Sequence, residues 1–543
     1  MEPLIAALLR PEAYDHPVEE LQLLETHISW ILLTGTYAYK IKKPVDLGFV
    51  DFSTLARRRH FCEEELRLNR RLAPDLYLGL RTLHGPAQRA HLGGGGPPIE
   101  VAVQMRQFRQ QDLLPAVLRR GLPLAALLEL VEDLAGRLAS FHAAAAIAPP
   151  DSAFGSPERV RRPALANLDV LERFLGRQDH RLPPLRQWCE AEALRLEPLF
   201  ERRRRAGRVR EGHGDLHLGN LVLHGDRIVV FDCLEFSPSL RWIDVISDLA
   251  FLAMDLRRHR QSLLASSLLN HWLAGSGDYG ALAVWRWVLA YRALVRAKVT
   301  ALRLEQLADA AGEAESQRRG RVELGAYLHL ALSVQRWRQP LLLITHGISG
   351  SGKSHLARRL AQRLGWLHIR SDVERLRLFG RWGEPCATPL QGDPYAAAIS
   401  ELLYRQRLSD CCVAPLEAGF SVICDATFLK RWQRLQFRSL AERLGVRLAI
   451  LPCPCPPELA RRRIALRRQR GDDPSEADAA VLEAQLAGLE PLEPDERLLC
   501  LSLEATPAAL PQGAAGGAAA GREEVVAEQA QLDVLLQQLR GLT

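Results

Sequence analysis

Alternating apolar and polar positions near the N-terminus predict a small β-rich region. Residues 27–50, HISWILLTGTYAYKIKKPVDLGFV, divide into two or three strand-like runs around the turn residues TGT at 34–36. A helical pattern rich in Arg and Glu follows over residues 54–73. A further strand pair is predicted on either side of the loop GPAQRAHLGGGGPPIE.

Helical periodicity dominates residues 112–335 and is interrupted once, at HGDLHLGNLVLHGDRIVVFD (213–232). There the apolar runs LVL and IVV flank His-Gly-Asp at 224–226, which predicts a β-hairpin. Strands first and helices afterwards are typical of a small β-rich lobe joined to a helical lobe.

The pattern changes again after a polar stretch that ends at Pro340. From 341 to 505, apolar runs (LLLIT, SVICD, RLAILPC) alternate with amphipathic helices, which predicts a parallel α/β sheet. We expect a domain boundary near 337–340, a low-complexity linker over 506–521 and a short final helix over 522–540. The predicted segments are therefore 1–338, 339–505 and 506–543.

Composition places the chain among ordinary multidomain globular proteins. The chain has 543 residues, which are too many for a single hydrophobic core. Of these residues, 47% are hydrophobic and 25% are charged. No apolar run approaches the ~18–20 residues of a membrane helix, and the first residues carry no basic leader. The ten cysteines form no CxxC pair, which favours reduced thiols and a cytoplasmic location without a membrane partner.

The basic residues are almost all arginine. The net charge is +7, which is a weak indication of an anionic partner. Only six of the 71 basic residues are lysines, and a lysine retained in such a chain indicates a need for a compact ammonium group. These six residues are Lys40, Lys42, Lys43, Lys298, Lys353 and Lys430.

One lysine belongs to a phosphate-binding loop. GISGSGKS at 347–354 fits GxxxxGK[ST] and lies between a predicted strand and a predicted helix, the context that this motif requires. Glycines let backbone N–H groups turn toward phosphate oxygens, the lysine reaches the β- and γ-phosphates, and the last serine holds Mg²⁺. The predicted ATP-binding residues here are Gly347, Ser349, Gly350, Ser351, Gly352, Lys353 and Ser354, with Ser354 as a metal ligand.

Three residues after neighbouring strands are candidates for the chemistry. Asp372, after the run LHIR, is a candidate base for an acceptor hydroxyl, and Arg375 one turn later is a candidate phosphate ligand. Asp425 ends the strand VICD, the usual place for a second Mg²⁺ ligand. The alternatives are an N-cap Asp with a surface Arg, and a capping residue at the strand end.

An arginine-rich helix follows in the same region. Six arginines lie within ARRRIALRRQRGDDPSEAD (460–478), and Arg463 and Arg467 are candidates for a lid that brings positive charge to the phosphates. A solvated helix face is the alternative for any single one of them.

The hairpin over 213–232 predicts a second site. Asn220 and Asp232 lie six residues on either side of the turn residue Asp226, so the hairpin brings them together as a candidate Mg²⁺ site. Asp215 precedes Asn220 by five residues, the D-x-x-x-x-N spacing of a kinase catalytic loop, in which the Asp orients or deprotonates the acceptor hydroxyl. His213 is expected to brace this loop.

The β-rich region supplies a candidate ATP-binding lysine. Alternation in AYKIK puts Ala38, Lys40 and Lys42 on one strand face, and A-x-K favours Lys40 with Lys42 second. Glu65, on the buried face of the following helix, is the expected ion-pair partner, with Glu64 second. A basic edge strand is the alternative.

Both halves resemble known kinase families. GISGSGKS and the D-x-x-R of Asp372 and Arg375 resemble the small P-loop kinases of the polynucleotide-kinase and zeta-toxin type. HGDLHLGN, FDCLEF and WIDVISDLAF resemble the aminoglycoside phosphotransferase family, which includes choline-kinase-like enzymes. This second resemblance implies a bilobal α+β protein-kinase-like fold, with Asp215 as base, Asn220 and Asp232 on the metal, and Asp248 supporting the loop. The whole chain looks like bacterial fusions of the two.

These patterns favour a bifunctional ATP-dependent phosphotransferase with two Mg-ATP sites. Its acceptors are expected to be hydroxyl groups of small molecules, because the fold serves many such acceptors. One alternative is a single active P-loop kinase with an N-terminal pseudokinase module, which the single glycine of the cover loop, Gly35, motivates. Another is a nucleic-acid 5′-hydroxyl kinase in the C-terminal half, although it lacks interleaved aromatic residues.

Overall fold

The computed structural model describes the chain apart from residues 1, 49, 309–313, 337–338, 385–387, 471–472, 503–517 and 543. The chain divides into two compact units. The first unit comprises Met1–Arg137, Ala144–Val170 and Glu190–Leu256. The second comprises Leu138–Ala143, Leu171–Cys189 and Arg257–Thr543.

The first unit contains an antiparallel sheet of six strands in the order β1-β2-β3-β6-β4-β5. These strands are β1 (Gln22–Glu25), β2 (Ser29–Leu33), β3 (Tyr37–Lys42), β4 (Tyr77–His84), β5 (His91–Leu92) and β6 (Glu100–Arg106). The helices up to residue 258 are α1 (Pro3–Leu8), α2 (Leu55–Asn69), α3 (Leu114–Arg120), α4 (Leu124–Ala144), α5 (Pro157–Leu175), α6 (Leu182–Arg205), α7 (Pro238–Arg241) and α8 (Val245–Arg258). The predicted β-rich region is confirmed.

Alternation along β3 separates the two faces of this sheet. Tyr39 and Ile41 belong to a core with α1 on one face, whereas Ala38 packs with Cys62 of α2 on the other. Lys40 and Lys42 share the face of Ala38, as the sequence predicts. The sheet therefore presents its lysines to helix α2.

The predicted hairpin is formed by β8 (Leu221–His224) and β9 (Arg227–Val230). Its register pairs His224 with Arg227, which leaves Gly225 and Asp226 in the turn, and Gly225 has φ +65°. Two further short strands, β7 (Val209–Glu211) and β10 (Trp242–Asp244), pair antiparallel and precede the candidate loop and helix α8, respectively.

The second unit contains a parallel sheet of four strands in the order β12-β13-β11-β14, which confirms the predicted α/β fold. The strands are β11 (Leu341–His346), β12 (Leu367–Arg370), β13 (Val422–Asp425) and β14 (Arg447–Pro452). The helices are α9 (Ser262–Ser276), α10 (Leu282–Ala308), α11 (Ala314–Ser333), α12 (Lys353–Leu364), α13 (Ser371–Leu378), α14 (Ala397–Leu402), α15 (Ser409–Glu417), α16 (Arg431–Leu444), α17 (Pro457–Arg470), α18 (Ala479–Ala487), α19 (Pro494–Arg497) and α20 (Ala518–Leu542).

The final helix is part of the core of the second unit. Leu532, Leu535, Leu536 and Leu539 of α20 are buried in one cluster with residues of β11, α12 and β14. The helix predicted over 522–540 lies within α20, which spans Ala518–Leu542. The predicted linker over 506–521 lies outside the described residues as far as residue 517, and residues 518–521 are helical.

The two compact units divide at Leu256/Arg257, while the domain boundary near 337–340 stays a prediction. The unit boundary lies earlier because helices α9 and α10 pack against α12, β12 and α15. Among the described residues, no helix has both the length and the apolarity needed to cross a membrane.

Candidate functional site

A cluster of lysines and carboxylates lies between β3 and α2 in the first unit. Lys40 Nζ lies 2.8 Å from Glu65 Oε1 and 2.6 Å from Asp232 Oδ1. Lys42 Nζ lies 2.7 Å from Glu65 Oε2 and contacts Glu235. The Lys40 side chain is 12% exposed and that of Lys42 is fully buried, so Lys40 is the lysine that can reach a ligand.

Burial and ion pairing oppose each other in this cluster. Burial alone raises the pKa of Glu65, but the ammonium groups of Lys40 and Lys42 outweigh it and bring that pKa to about 2. Burial lowers the pKa of Lys40, but Asp232 and Glu65 outweigh it and raise the pKa well above its ordinary value. Glu65 and Lys40 are therefore both charged at neutral pH.

Glu65, rather than Glu64, contacts both lysines, in keeping with its predicted place on the buried face of α2. Glu64 instead pairs with Arg67 and Arg241 at the edge of the helix. Glu235 joins the cluster without having been predicted. The signal for Glu235 in the sequence was its place three residues after Asp232, but only the fold brings Glu235 into contact with Lys42. Burial raises the pKa of Glu235, and Lys42 reduces that rise only in part.

The loop that begins HGD is fastened to helix α8 through its backbone. Asp248 accepts hydrogen bonds from the backbone N–H of His213 (2.6 Å) and of Gly214 (2.8 Å). Gly214 has φ +85°, and a Cβ there would lie 2.8 Å from Leu240 O, so the turn requires glycine. Asp248 therefore lies where a loop-supporting residue is expected.

His213 bridges the loop to the end of β9. Its Nδ1 lies 3.3 Å from the backbone N of Asp215 and accepts that hydrogen bond. Its Nε2 lies 3.0 Å from Phe231 O, an acceptor, so Nε2 carries the proton. Burial lowers the pKa of His213, which matches this neutral tautomer.

Asp215, Asn220 and Asp232 lie at the open end of the hairpin. Asn220 Nδ2 donates to Asp215 Oδ2 at 3.1 Å, and Phe231 N donates to Asn220 O at 3.0 Å, which places Asp232 beside Asn220. Asp232 has φ +61°, a conformation rare for Asp and typical of functional positions. The Asn220 amide nitrogen is directed at Asp215, so its amide oxygen is the atom available to a cation.

The phosphate-binding loop of the second unit depends on glycine at two close approaches. A Cβ at Gly347 would lie 2.6 Å from Cys453 O, and one at Gly350 (φ +79°) would lie 2.7 Å from Ala460 O. Ser349 is held by Gln485, which accepts from its backbone N–H (2.8 Å) and donates to its hydroxyl (3.0 Å). These close approaches and hydrogen bonds hold the loop in the conformation that the motif predicts.

Three groups of this loop are suited to phosphate and metal. Lys353 Nζ donates to Ile348 O at 2.8 Å, and burial lowers the pKa of Lys353. The hydroxyl of Ser351 is buried and has no hydrogen-bond partner in the described part of the chain. Gly352 has φ +91° and caps helix α12, whose N-terminus begins with Lys353 and Ser354.

Asp425 ends β13 and is buried beside the phosphate-binding loop. His368 Nε2 donates to Asp425 Oδ2 at 3.0 Å. Burial alone raises the pKa of Asp425, but His368, Arg370 and Lys353 outweigh it and lower the pKa to about 2. His368 was not predicted, because its contact with Asp425 depends on the parallel pairing of β12 with β13.

A cavity of about 740 Å³ is lined by the predicted site residues of the second unit apart from Gly347 and Ser351. Its lining includes Lys353, Ser354 and Asp425 together with Asp372 and Arg375 of α13. Its volume is that of a typical small-molecule site.

Arg375 is prepared for an anionic group. The residue is 7% exposed, its guanidinium lies 4.7 Å above the Tyr395 ring, and Nη1 donates to Pro394 O at 2.5 Å. Its Nε has no hydrogen-bond partner among the described residues. A buried guanidinium without a carboxylate partner favours an anion in the cavity.

The lid candidates Arg463 and Arg467 both line this cavity. Arg463 Nη1 lies 3.4 Å from Gly350 O, and Arg467 Nη2 donates to Ala477 O at 2.9 Å. A π-helical turn over Leu403–Leu408, between α14 and α15, adds Tyr404 and Arg405 to the lining. No sequence pattern predicted this turn, although such turns are frequent at functional sites.

The donor sets fit Mg²⁺ bound together with a nucleotide. Among the described residues, no three His, Cys, Asp or Glu side chains are grouped to hold a metal ion by themselves. Mg²⁺ is usually bound through one or two carboxylates plus substrate phosphates. Asp425 with Ser354, and Asp232 with Asn220, each match that partial donor set.

Family models match both halves of the chain. The model of the phosphotransferase enzyme family matches residues 50–285, and the model of an AAA domain matches residues 342–492. The fold of each half agrees with these matches: protein-kinase-like α+β in the first and α/β P-loop in the second.

Relatives span nearly the whole chain. The uncharacterized protein Rv2004c of Mycobacterium tuberculosis is 31% identical over 486 residues, 87% of this chain and 92% of the relative. The uncharacterized protein Mb2027c of Mycobacterium bovis is similar to the same extent. Both halves therefore occur together in these relatives.

Solved structures resemble the chain more loosely. A gluconokinase from Sinorhizobium meliloti 1021 matches with 21% identity and a TM-score of 0.24, over 37% of this chain and 97% of that chain. The ADP-bound aminoglycoside phosphotransferase APH(2'')-Ib matches with 13% identity and a TM-score of 0.31, over 58% and 94%. Because these TM-scores are low, the family assignment rests on the family models and the mycobacterial relatives. The chain therefore belongs to the same family as these mycobacterial proteins, and it is a phosphotransferase that joins two kinase-like domains.

Proposed function

We propose that the second unit transfers the γ-phosphoryl group of ATP to a hydroxyl group of a small molecule. The observation that carries this proposal is the cavity that Lys353, Asp425, Asp372 and Arg375 share. The cavity supports the proposal because its lining combines a phosphate-binding loop, a carboxylate suited to a cation, a candidate base and a guanidinium without an ion pair among the described residues.

The roles follow from the chemistry of each side chain. Asp372 takes the proton of the acceptor hydroxyl. The oxygen of that hydroxyl forms a bond to the γ-phosphorus, the bond between this phosphorus and the β-phosphate oxygen breaks, and ADP is released. Lys353 and Arg375 stabilise the negative charge on the transferring group. Ser354 and Asp425 would hold Mg²⁺, which neutralises phosphate charge when bound.

The first unit is proposed as a second ATP-dependent phosphotransferase. Lys40, held by Glu65, would contact the nucleotide phosphates, and Asp215 would accept the proton of an acceptor hydroxyl. Asn220 and Asp232 would hold the cation. The contacts of Asp215 with Asn220 and of Lys40 with Asp232 support this assignment.

A pseudokinase is the second candidate for the first unit. The N–H of Gly35, in the turn expected to cover the phosphates, donates to Gln107 Oε1 at 2.9 Å. A Cβ on Gly35 would lie 3.0 Å from Glu19 Oε2, which puts a carboxylate at the same turn. Both contacts oppose phosphate binding by this turn.

Phosphate transfer by the full-length chain tests these proposals. Purified protein and its Asp215→Asn and Lys353→Ala variants would be incubated with Mg²⁺ and γ-labelled ATP. The acceptors would be sugars, sugar acids, amino alcohols and, for the nucleic-acid alternative, 5′-hydroxyl DNA and RNA. We expect two activities on small molecules, each abolished by one variant.

The same assay separates the alternatives. If both variants keep every transfer activity, both proposed sites are wrong. If the Lys353→Ala variant binds Mg-ATP in calorimetry but transfers phosphate to no acceptor, the first unit is a pseudokinase. Label on oligonucleotides that Lys353→Ala removes would instead identify a nucleic-acid kinase.

A further inference from the structure

Helix α13 has one face in the cavity and another in a buried polar network. Asp372 and Arg375, three residues apart, line the cavity. Glu374 and Arg377, also three apart, are 0% and 2% exposed. The second pair is bound by helix α9 and by Tyr279, all within the second unit.

Arg377 binds the C-terminal end of α9. Its Nη1 donates to Gly275 O at 3.0 Å, and its Nη2 donates to Ala274 O. The last carbonyl groups of a helix lack partners within the helix and carry partial negative charge, so a guanidinium there is favourable. The backbone N–H of Glu384, six residues after α13, also donates to Gly275 O at 3.2 Å.

Glu374 links α13 to Tyr279. The Tyr279 hydroxyl donates to Glu374 Oε1 at 3.1 Å, while Arg377 Nε (3.2 Å) and Arg407 Nε (2.7 Å) donate to Oε2. Burial raises the pKa of Tyr279 well above its ordinary value, so the hydroxyl remains a donor. The carboxylate is thus satisfied from three sides.

Asn270 holds the strand that leads into α13. Strand β12 is at the edge of the parallel sheet, with one side unpaired by strands. The Asn270 side chain donates to Trp366 O at 3.0 Å and accepts from the His368 N–H at 2.8 Å. One amide therefore makes the two bonds that a neighbouring strand would make, and covers this edge.

Two glycines permit the close approach. A Cβ on Gly277, which caps α9 with φ +67°, would lie 2.8 Å from Arg377 Nε. A Cβ on Gly383, with φ +56°, would lie 1.9 Å from Gly275 O. Both positions are therefore limited to glycine by conformation and by contact.

We propose that α9 and Tyr279 form a clasp that positions β12 and α13, and through them the acceptor side of the P-loop site. Asn270, Tyr279 and Arg377 are then positioning residues for Asp372 and Arg375. The clasp rests on the proposed function of the second unit. Helix α9 and Tyr279 lie within residues 50–285, which match the phosphotransferase enzyme family. Residues of this matched region therefore position part of the P-loop site, which belongs to the region that matches the AAA domain.

Kinetics of the full-length chain test the clasp with water as the acceptor of the γ-phosphoryl group. The relevant activity is the part of Mg-ATP hydrolysis that Lys353→Ala removes. We expect Asn270→Ala and Arg377→Met to lower its kcat about tenfold or more, because small displacements of reacting groups are costly. The Kd for Mg-ADP should change less than about twofold, since the hydrogen bonds of the clasp are made to β12, α13 and their flanking residues and not to the phosphate-binding loop.

Conservative and matched variants separate positioning from general damage. Arg377→Lys keeps a cation at the end of α9 and should recover part of the lost kcat. Tyr279→Phe should lower kcat, whereas Tyr327→Phe, a change of the same kind in α11, should leave it unchanged. A kcat for Asn270→Ala and Arg377→Met within twofold of the unmodified chain would overturn the clasp.

Hydrogen exchange gives a readout that does not depend on activity. In Asn270→Ala, amides of residues 367–378 should exchange faster, while those of 353–364 should not. If hydrolysis sensitive to Lys353→Ala is absent from the unmodified chain, transfer to the hydroxyl acceptors still decides the proposed function, and exchange alone decides the clasp. Equal exchange of residues 367–378 in the variant and the unmodified chain would then overturn it.

Discussion

The two candidate sites differ in how their cations are partnered. In the first unit, Lys40 and Lys42 each contact two carboxylates, and Glu65 is shared between them. In the second unit, Lys353 and Arg375 form no ion pair within the described part of the chain. Burial accordingly lowers the pKa of Lys353, whereas carboxylates raise the pKa of Lys40.

This difference has a consequence for ligand binding. A phosphate that approaches Lys40 must compete with Asp232 and Glu65, so part of the attraction is offset by the ion pairs it weakens. A phosphate that approaches Lys353 or Arg375 meets a buried cation that has no ion pair to give up within the described part of the chain. We therefore expect phosphate-bearing ligands to bind the second unit more tightly than the first.

The largest expected effect comes from removing Lys353, the buried lysine without an ion pair among the described residues. Lys353→Ala should lower phosphate transfer by the second unit on the order of 10³-fold, because it removes a buried donor to the transferring group. The matched control is Lys430→Ala, since Lys430 also lines the cavity but pairs with Glu490. Equal losses in the two variants, measured with γ-labelled ATP, would contradict the comparison.

In the first unit, Glu65→Gln should destabilise the fold by about 3 kcal/mol, because it removes the carboxylate that the buried Lys42 and the partly buried Lys40 share. The effect should depend on pH. The pKa of Glu65 is about 2 in the fold against 4.5 ordinarily, so its stabilisation is present above pH 4.5 and is lost as the pH falls toward 2.

Urea unfolding of the full-length chain between pH 3 and 7 would measure this effect. The difference in unfolding free energy between the unmodified chain and Glu65→Gln should shrink at the acid end. Glu64→Gln, a neighbouring change at a residue paired near the surface, should cost no more than about 1 kcal/mol. A pH-independent difference for Glu65→Gln would refute its charged, shared role.

Glu235→Gln should have a smaller effect on the free energy of unfolding, and this effect should depend on pH in the opposite direction. The pKa of Glu235 is raised by burial, so its ionisation opposes folding increasingly as the pH rises above the unfolded pKa. We expect a change in unfolding free energy of at most about 1 kcal/mol, since Lys42 keeps Glu65. The same urea series tests this, and a loss as large as that of Glu65→Gln would be inconsistent with it.

The smallest expected effect concerns the exposed lid candidate. Arg463→Gln should lower transfer by the second unit about threefold at low salt, because an exposed cation is screened by solvent and ions. Arg468→Gln, on the same helix but outside the cavity lining, is the control. An effect of Arg463→Gln that persists unchanged in high salt would indicate a buried contact instead.

Local patterns predicted much of this architecture. The motif GISGSGKS, the runs LHIR and VICD, and the hairpin around residue 225 each depend on neighbours in sequence. Their strands and helices form where the periodicity indicates. The preference for Glu65 over Glu64 also followed from periodicity, because the buried face of one helix is a local property.

Other contacts could not be predicted from such patterns. Three contacts join residues that are far apart in the chain or on separate strands. They are the contacts of Glu235 with Lys42, of His368 with Asp425, and of Asn270 with β12. Helix α20 was predicted as a helix, but its burial against β11 and β14 depends on the sheet that it covers. The residue type alone does not identify these positions, because the same residue types occur elsewhere in the chain without such a contact.

The sequence by itself determined the two kinase-like folds, the phosphate-binding loop and the order of the candidate catalytic residues, because periodicity and short motifs act over a few residues. Only the tertiary structure decided which cations are paired, which carboxylate shares two lysines, and that α9 holds the strand before α13. Those outcomes depend on burial and on distances between separate elements, where the cost of an unpaired charge selects the partners.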